Sequence, residues 1–159
     1  MSFRLLLSAA AAALALASCQ TATTRIVGMA DLPLKTTEVP DMSWQQSPLR
    51  ANAQYLLYGT NTEKQKADRL GDYYYVEWYD ADPAQPVKLM MHYTQARTAS
   101  KVFTRTLEYP APREDAGHHK AEFFFNGPER KDGGDILTWK VELYSGGKLM
   151  DSRQSYLWE

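Results

Sequence analysis

Beyond about residue 51 apolar and polar residues alternate with period two. The alternation is cleanest over Ile136–Tyr144, where Leu137, Trp139, Val141 and Leu143 alternate with Thr138, Lys140 and Glu142. Period two with one apolar side marks a half-buried strand. Tyr73–Tyr79 repeats it, with Tyr74, Val76 and Trp78 on one side and Tyr73, Tyr75, Glu77 and Tyr79 on the other. Five further stretches have strand character: Ala53–Gly59, Val87–Thr94, Lys101–Tyr109, Ala121–Asn126 and Lys148–Trp158.

The punctuation between them fits. Ser145-Gly146-Gly147 offers the positive φ angles that a tight hairpin needs. Asp80-Ala81-Asp82-Pro83 breaks the chain after the second strand, and Pro110-Ala111-Pro112 and Gly127-Pro128 end the fourth and fifth. Lys131–Asp135 reads as a polar loop before the sixth strand. One segment differs: Thr62-Glu63-Lys64-Gln65 has capping-box spacing, so residues 63–70 are predicted as a short helix or turn closed by Gly71.

Seven short strands with turns at this spacing predict an all-β fold, an antiparallel β-sandwich over residues 51–159. Its architecture resembles the immunoglobulin and fibronectin-III type. A single cysteine leaves no pair to staple the sheets, so antibody-type domains are excluded. A small closed barrel is the rival, and uneven strand lengths favour the sandwich.

Residues 20–50 lack sustained periodicity. Thr21, Thr23, Thr24, Thr36, Thr37 and Ser43, with Pro33, Pro40 and Pro48, give them the composition of a linker. The expected division is therefore a leader over 1–18, an anchor and tether over 19–50, and the sandwich. The competing reading pairs Arg25-Ile26-Val27 or Val39–Trp44 at a sheet edge. Trp44 is costly to leave in water and is expected to dock.

The first 19 residues, MSFRLLLSAAAAALALASC, hold one positive charge at Arg4 and an uncharged run from Leu5 to Ser18. Charged start, apolar stretch and small residues at the cut make a signal peptide, too short to span a bilayer. Leu16-Ala17-Ser18-Cys19 resembles the lipobox of bacterial lipoprotein precursors. That resemblance covers only the first 19 or so residues. It implies that Cys19 carries a diacylglyceryl group and becomes the new N-terminus. Gln20, where the family commonly has Asp for inner-membrane retention, leans to the outer membrane.

With 18 Lys+Arg against 19 Asp+Glu, no basic excess points to nucleic acid. Loss of Arg4 leaves the body slightly acidic, so the lipid rather than the surface would do the anchoring. One cysteine excludes a disulfide framework, a zinc ribbon and a CxxC redox pair.

Catalysis needs convergent groups. The lone cysteine is committed to the anchor. His118 and His119 are adjacent and point to opposite sides if extended, so they do not form one two-ligand site. Zinc would need Glu114 or Asp115 as well. Asp80/Asp82, Glu114/Asp115 and Asp132/Asp135 sit in turns, where Asp serves backbone geometry. His92 reads as a packed strand residue. No catalytic residue, cofactor or metal is expected.

The aromatics are the better candidate. Tyr73, Tyr75 and Tyr79 form a stripe suited to a protein interface or to sugar stacking, unless the strand is central and loops or the tether cover both its faces. The expectation is a lipid-anchored envelope protein whose sandwich binds or assembles with an envelope protein, or alternatively with a glycan or peptidoglycan. An enzyme would have only His118, Glu114 and Asp115 to work with. Trp158, one residue from the end, is expected to be docked.

Overall fold

The computed structural model describes residues 23–39 and 47–158. The leader, the lipobox and Trp44 lie outside the described residues. Two antiparallel sheets face each other. The first contains β1 (Arg25–Asp31), β2 (Gly71–Asp80) and β5 (Gly117–Asn126), in the order β1-β2-β5. The second contains β3 (Val87–Gln95), β4 (Val102–Tyr109), β6 (Ile136–Ser145) and β7 (Lys148–Gln154), in the order β4-β3-β6-β7. The immunoglobulin arrangement has four strands facing three. Here the fourth strand pairs with the third instead of the fifth, giving three facing four.

The core follows from the alternation. Tyr74, Val76 and Trp78 of β2 and Ala121, Phe123 and Phe125 of β5 face Leu89, Met91 and Tyr93 of β3 and Val141 and Leu143 of β6. Each fully buried aliphatic side chain contributes about 1.5–3 kcal/mol.

The sheets do not close into a barrel. At one seam β7 reaches β1 through side chains: the Ile26 N–H donates to Asp151 Oδ2 (3.0 Å), and Arg153 Nη2 donates to the Ile26 carbonyl (3.3 Å). At the other, Arg105 of β4 donates to the Phe124 carbonyl of β5. Backbone ladders stop at both seams, so the fold is a sandwich.

The sequence reading is corrected at the first strand. Ala53–Gly59 is not a strand; residues up to Leu57 belong to helix α1 (Ser47–Leu57). Its segment contains no β-branched residue, and Ala53, Leu56 and Leu57 recur at helical spacing against the outside of the first sheet. The seventh strand is β1, within the segment expected as tether, paired with β2 from Arg25↔Tyr79 to Asp31↔Tyr74. The sheet therefore begins well before residue 51. β5 also starts earlier than expected, so His118 and His119 are strand residues.

Helix α2 (Glu63–Asp68) carries the expected capping box: Gln65 N donates to Thr62 Oγ1 (3.1 Å), and Gln65 Oε1 accepts from Thr62 N (3.2 Å). Arg69 caps it, not Gly71. Gly71 opens β2, where a Cβ would strike the Phe125 carbonyl. A third helix, α3 (Gly127–Gly133), has Pro128 in its first turn and follows β5 directly. Glu129 fixes it to the body, accepting from Tyr93 Oη (2.8 Å) and Arg105 Nη2 (2.5 Å). In the β6–β7 hairpin Gly146 and Gly147 have φ of 57° and 81°, as a type I′ turn requires.

Candidate functional site

The tyrosine stripe on β2 is not an exposed face. α1 lies across it. Tyr73 is 1% exposed and packs with Leu34, Ala53 and Leu56. Its hydroxyl donates to the Arg69 carbonyl (2.5 Å) and accepts from Asn126 Nδ2 (2.9 Å). Tyr75 is half-buried and donates to Asn52 Oδ1 of α1 (2.7 Å). Burial pushes its phenol up to about 12. Tyr79 is half-buried at the strand end, edge-on to His118 (5.4 Å) and under the Arg25 guanidinium (5.2 Å). The alternation correctly put all three on one side, but nothing in it announced the helix that covers that side. The exposed aromatics among the described residues are Tyr55 (72%) on α1, Tyr58 (87%) one residue past its end, and Tyr156 (100%) near the C-terminus.

His118 and His119 separate, as extended backbone requires. His119 stacks on Trp78 inside the sandwich (4.5 Å between centroids), while His118 meets Tyr79 outside. Among the described residues no three His, Cys, Asp or Glu side chains converge as metal ligands. Nearby, Asp80 is a wholly buried carboxylate held by Arg113. Nε and Nη2 of Arg113 both donate to its Oδ2 (2.9 and 2.6 Å).

His92 proves to face outward from the second sheet. Its Nδ1 meets Thr104 Oγ1 (2.8 Å) and its Nε2 meets Glu142 Oε2 (3.4 Å). Glu142 also takes Lys140 Nζ (2.6 Å) and the Tyr144 hydroxyl (2.8 Å). The Lys140 hydrogen bond, outweighing partial burial and joined by Tyr144 and His92, holds this carboxyl below its ordinary value. Hydroxyl, imidazole and carboxylate in that order resemble a nucleophile–base–acid relay. Here, however, the carboxylate is shared with Lys140 and Tyr144, and the row lies on an open sheet face. It ties β4, β3 and β6 together.

Two concavities occupy opposite ends of the sandwich. One, about 570 Å³, is lined by Pro86, Tyr109, Pro110 and Tyr144 at the end where β1 begins. The other, about 890 Å³, lies at the far end between α2, α3 and the turn after β3. Apolar Ala67, Leu70 and Pro128 alternate in its lining with charged side chains from both helices and from that turn. Lys35 beside it bridges Asp72 (2.6 Å) and Asp135 (3.1 Å), and Arg130 reaches Asp135 (2.9 Å). Partial burial raises the Asp135 carboxyl, but Lys35 and Arg130 outweigh it and hold the group below its ordinary value.

Sequence reading missed this far-end groove. It took Lys131–Asp135 as a polar loop and gave Arg97 no role. Pro128 and Glu129 carried a helix-start signal for α3, but only the topology brings that helix beside α2.

The fold and these concavities define an all-β sandwich with a groove at each end. Compared with protein-family profiles, curated proteins and solved structures, the chain finds no match in any of the three.

Proposed function

We propose that this chain is a lipid-anchored bacterial cell-envelope protein, with Cys19 as the lipidated residue and the sandwich as a binding or assembly module without catalysis. The observation that carries the reading is Leu16-Ala17-Ser18-Cys19 at the end of the uncharged run. The position of β1 sharpens it. Only residues 20–24 separate Cys19 from Arg25, so at about 3.6 Å per residue that strand starts no more than about 22 Å from Cys19. The domain is then held close to the bilayer, the outer membrane by the Gln20 criterion, and its partner is a protein of the envelope.

A second reading, a glycan- or peptidoglycan-binding module, draws on Tyr55 and Tyr58. Tyr55 stands on the outside of α1 and Tyr58 one residue past its end, with Gln54 between Tyr55 and the buried Ala53. Exposed aromatic faces flanked by amides suit sugar stacking.

The test is Cys19→Ala in the full precursor. The wild type is expected to incorporate radioactive palmitate and to sediment with membranes. The variant is expected to lose the label and to remain unprocessed by the lipoprotein peptidase. Normal acylation of the variant overturns the anchor. Crosslinking of the lipidated protein in cells tests the second half. A single envelope protein in near-stoichiometric yield supports the assembly role, and recovery of wall glycan alone transfers support to the second reading.

A further inference from the structure

The far-end groove shows an uneven ion balance. Arg130 is neutralised by Asp135 (2.9 Å), and Lys64 by Asp68 (3.3 Å). Arg97 and Lys131, both exposed, meet no carboxylate among the described residues. Both line the groove, and Arg97 Nη1 donates to the Lys131 carbonyl (2.6 Å), which ties the turn after β3 to α3. Gly134 permits this packing: a Cβ there would stand 3.1 Å from Ala96 Cβ and 3.3 Å from Arg97 Cγ. Asp132, also exposed and in the same lining, meets no cation among the described residues. The groove thus offers, among the described residues, two cations without a carboxylate partner and one carboxylate without a cation, beside apolar Ala67, Leu70 and Pro128. Its volume, about 890 Å³, falls in the range of pockets that hold small ligands.

We infer that this groove binds a short zwitterionic peptide, its carboxylate on Arg97 and Lys131 and its amine on Asp132. A plain anion would leave Asp132 repelling it. An uncharged sugar would leave three charges unanswered, and a nucleic acid would need a longer basic track. The peptide's own carbon frame covers the apolar residues. Placement adds to this and rests on the lipid-anchor reading. The groove lies at the end of β2 opposite Arg25, so a strand of about 30 Å separates it from the chain's membrane-side end. The site would face away from the bilayer.

The experiment uses the full mature protein, purified in detergent micelles. Fluorescence anisotropy follows a labelled Ala-Glu-Lys-Ala tetrapeptide, with its capped Gln-for-Glu counterpart and inorganic phosphate as competitors. The free peptide is expected to bind saturably and to weaken about tenfold or more in Arg97→Gln/Lys131→Gln, as loss of charged hydrogen bonds requires. Asp132→Asn is expected to weaken it by a smaller factor. Salt near 1 M, where the Debye length is about 3 Å, is expected to weaken it in the unsubstituted protein, which needs no variant to fold. Equal competition by the capped peptide or by phosphate overturns the zwitterion. Absence of saturable binding, or full affinity in the double variant, overturns the site. Palmitate labelling of the same preparation reads the anchor separately. Binding without label leaves the site standing and fells the anchor reading; label without binding does the reverse.

Discussion

Asp80 gives a sharp test of how the sandwich is held together. Its side chain has no exposure, and its partner Arg113 retains 11%. Arg113→Met removes both hydrogen bonds to Asp80 Oδ2 and leaves the carboxylate only the Asp82 N–H on its other oxygen (3.2 Å). Taking one partner from a buried ion pair costs about 3–5 kcal/mol, because the remaining charge stays desolvated. Small domains have only about 5–15 kcal/mol in total. At about 3–5 °C per kcal/mol for a body of this size, Tm is expected to fall by about 10–25 °C. Urea unfolding followed by tryptophan fluorescence is the assay, and Trp78, 5.8 Å from the guanidinium, is a local reporter. The midpoint is expected to drop with m unchanged. Asp80→Asn added to Arg113→Met removes the stranded charge and is expected to restore about 1–3 kcal/mol. A cost below about 1 kcal/mol for the single variant, or a double variant no more stable than it, would refute the reasoning.

Two other perturbations have definite signs. Glu142 titrates below its ordinary 4.5 in the fold, so its contribution is complete above that value and lost as pH falls through the folded one. Glu142→Gln is expected to cost about 1–2 kcal/mol at neutral pH and to flatten the acid limb below about pH 4.5; an unchanged acid limb in a pH series of urea midpoints contradicts this. Gly71→Ala places a methyl against the Phe125 carbonyl and Asn126, and is expected to cost about 1–3 kcal/mol by thermal melting, where a neutral result contradicts the close approach.

The strands were legible wherever one face met the core and the other met water. Val141 and Leu143 are buried as their alternation indicated, while Leu137, at the irregular start of β6, is 57% exposed. β1 was hard to read because Gly28 interrupts a segment of seven residues and the register shifts between Ile26 and Gly28. α1 was misread because an eleven-residue helix seen through a seven-residue window shows too few turns for its period to declare itself. The covering of Tyr73 and Tyr75 was not legible for a related reason: tyrosine is amphipathic, and composition does not distinguish tyrosine facing solvent from tyrosine under a helix. The far-end groove joins residues from three separate segments, so only the fold could assemble it.

The position of β1 also has a mechanical meaning. In a chain held through Cys19, tension arrives at Arg25 and runs along the strand axis. Antiparallel hydrogen bonds lie across that axis, so the ladder from Arg25↔Tyr79 to Asp31↔Tyr74 is stretched in shear. Its bonds must yield together instead of unzipping singly. Asp151 and Arg153 grip both backbone groups of Ile26, one residue inside the point of pull. A partner tugging at the opposite end of the molecule would therefore meet resistance from both sheets at once, and the leash would transmit force into the fold without peeling off its first strand.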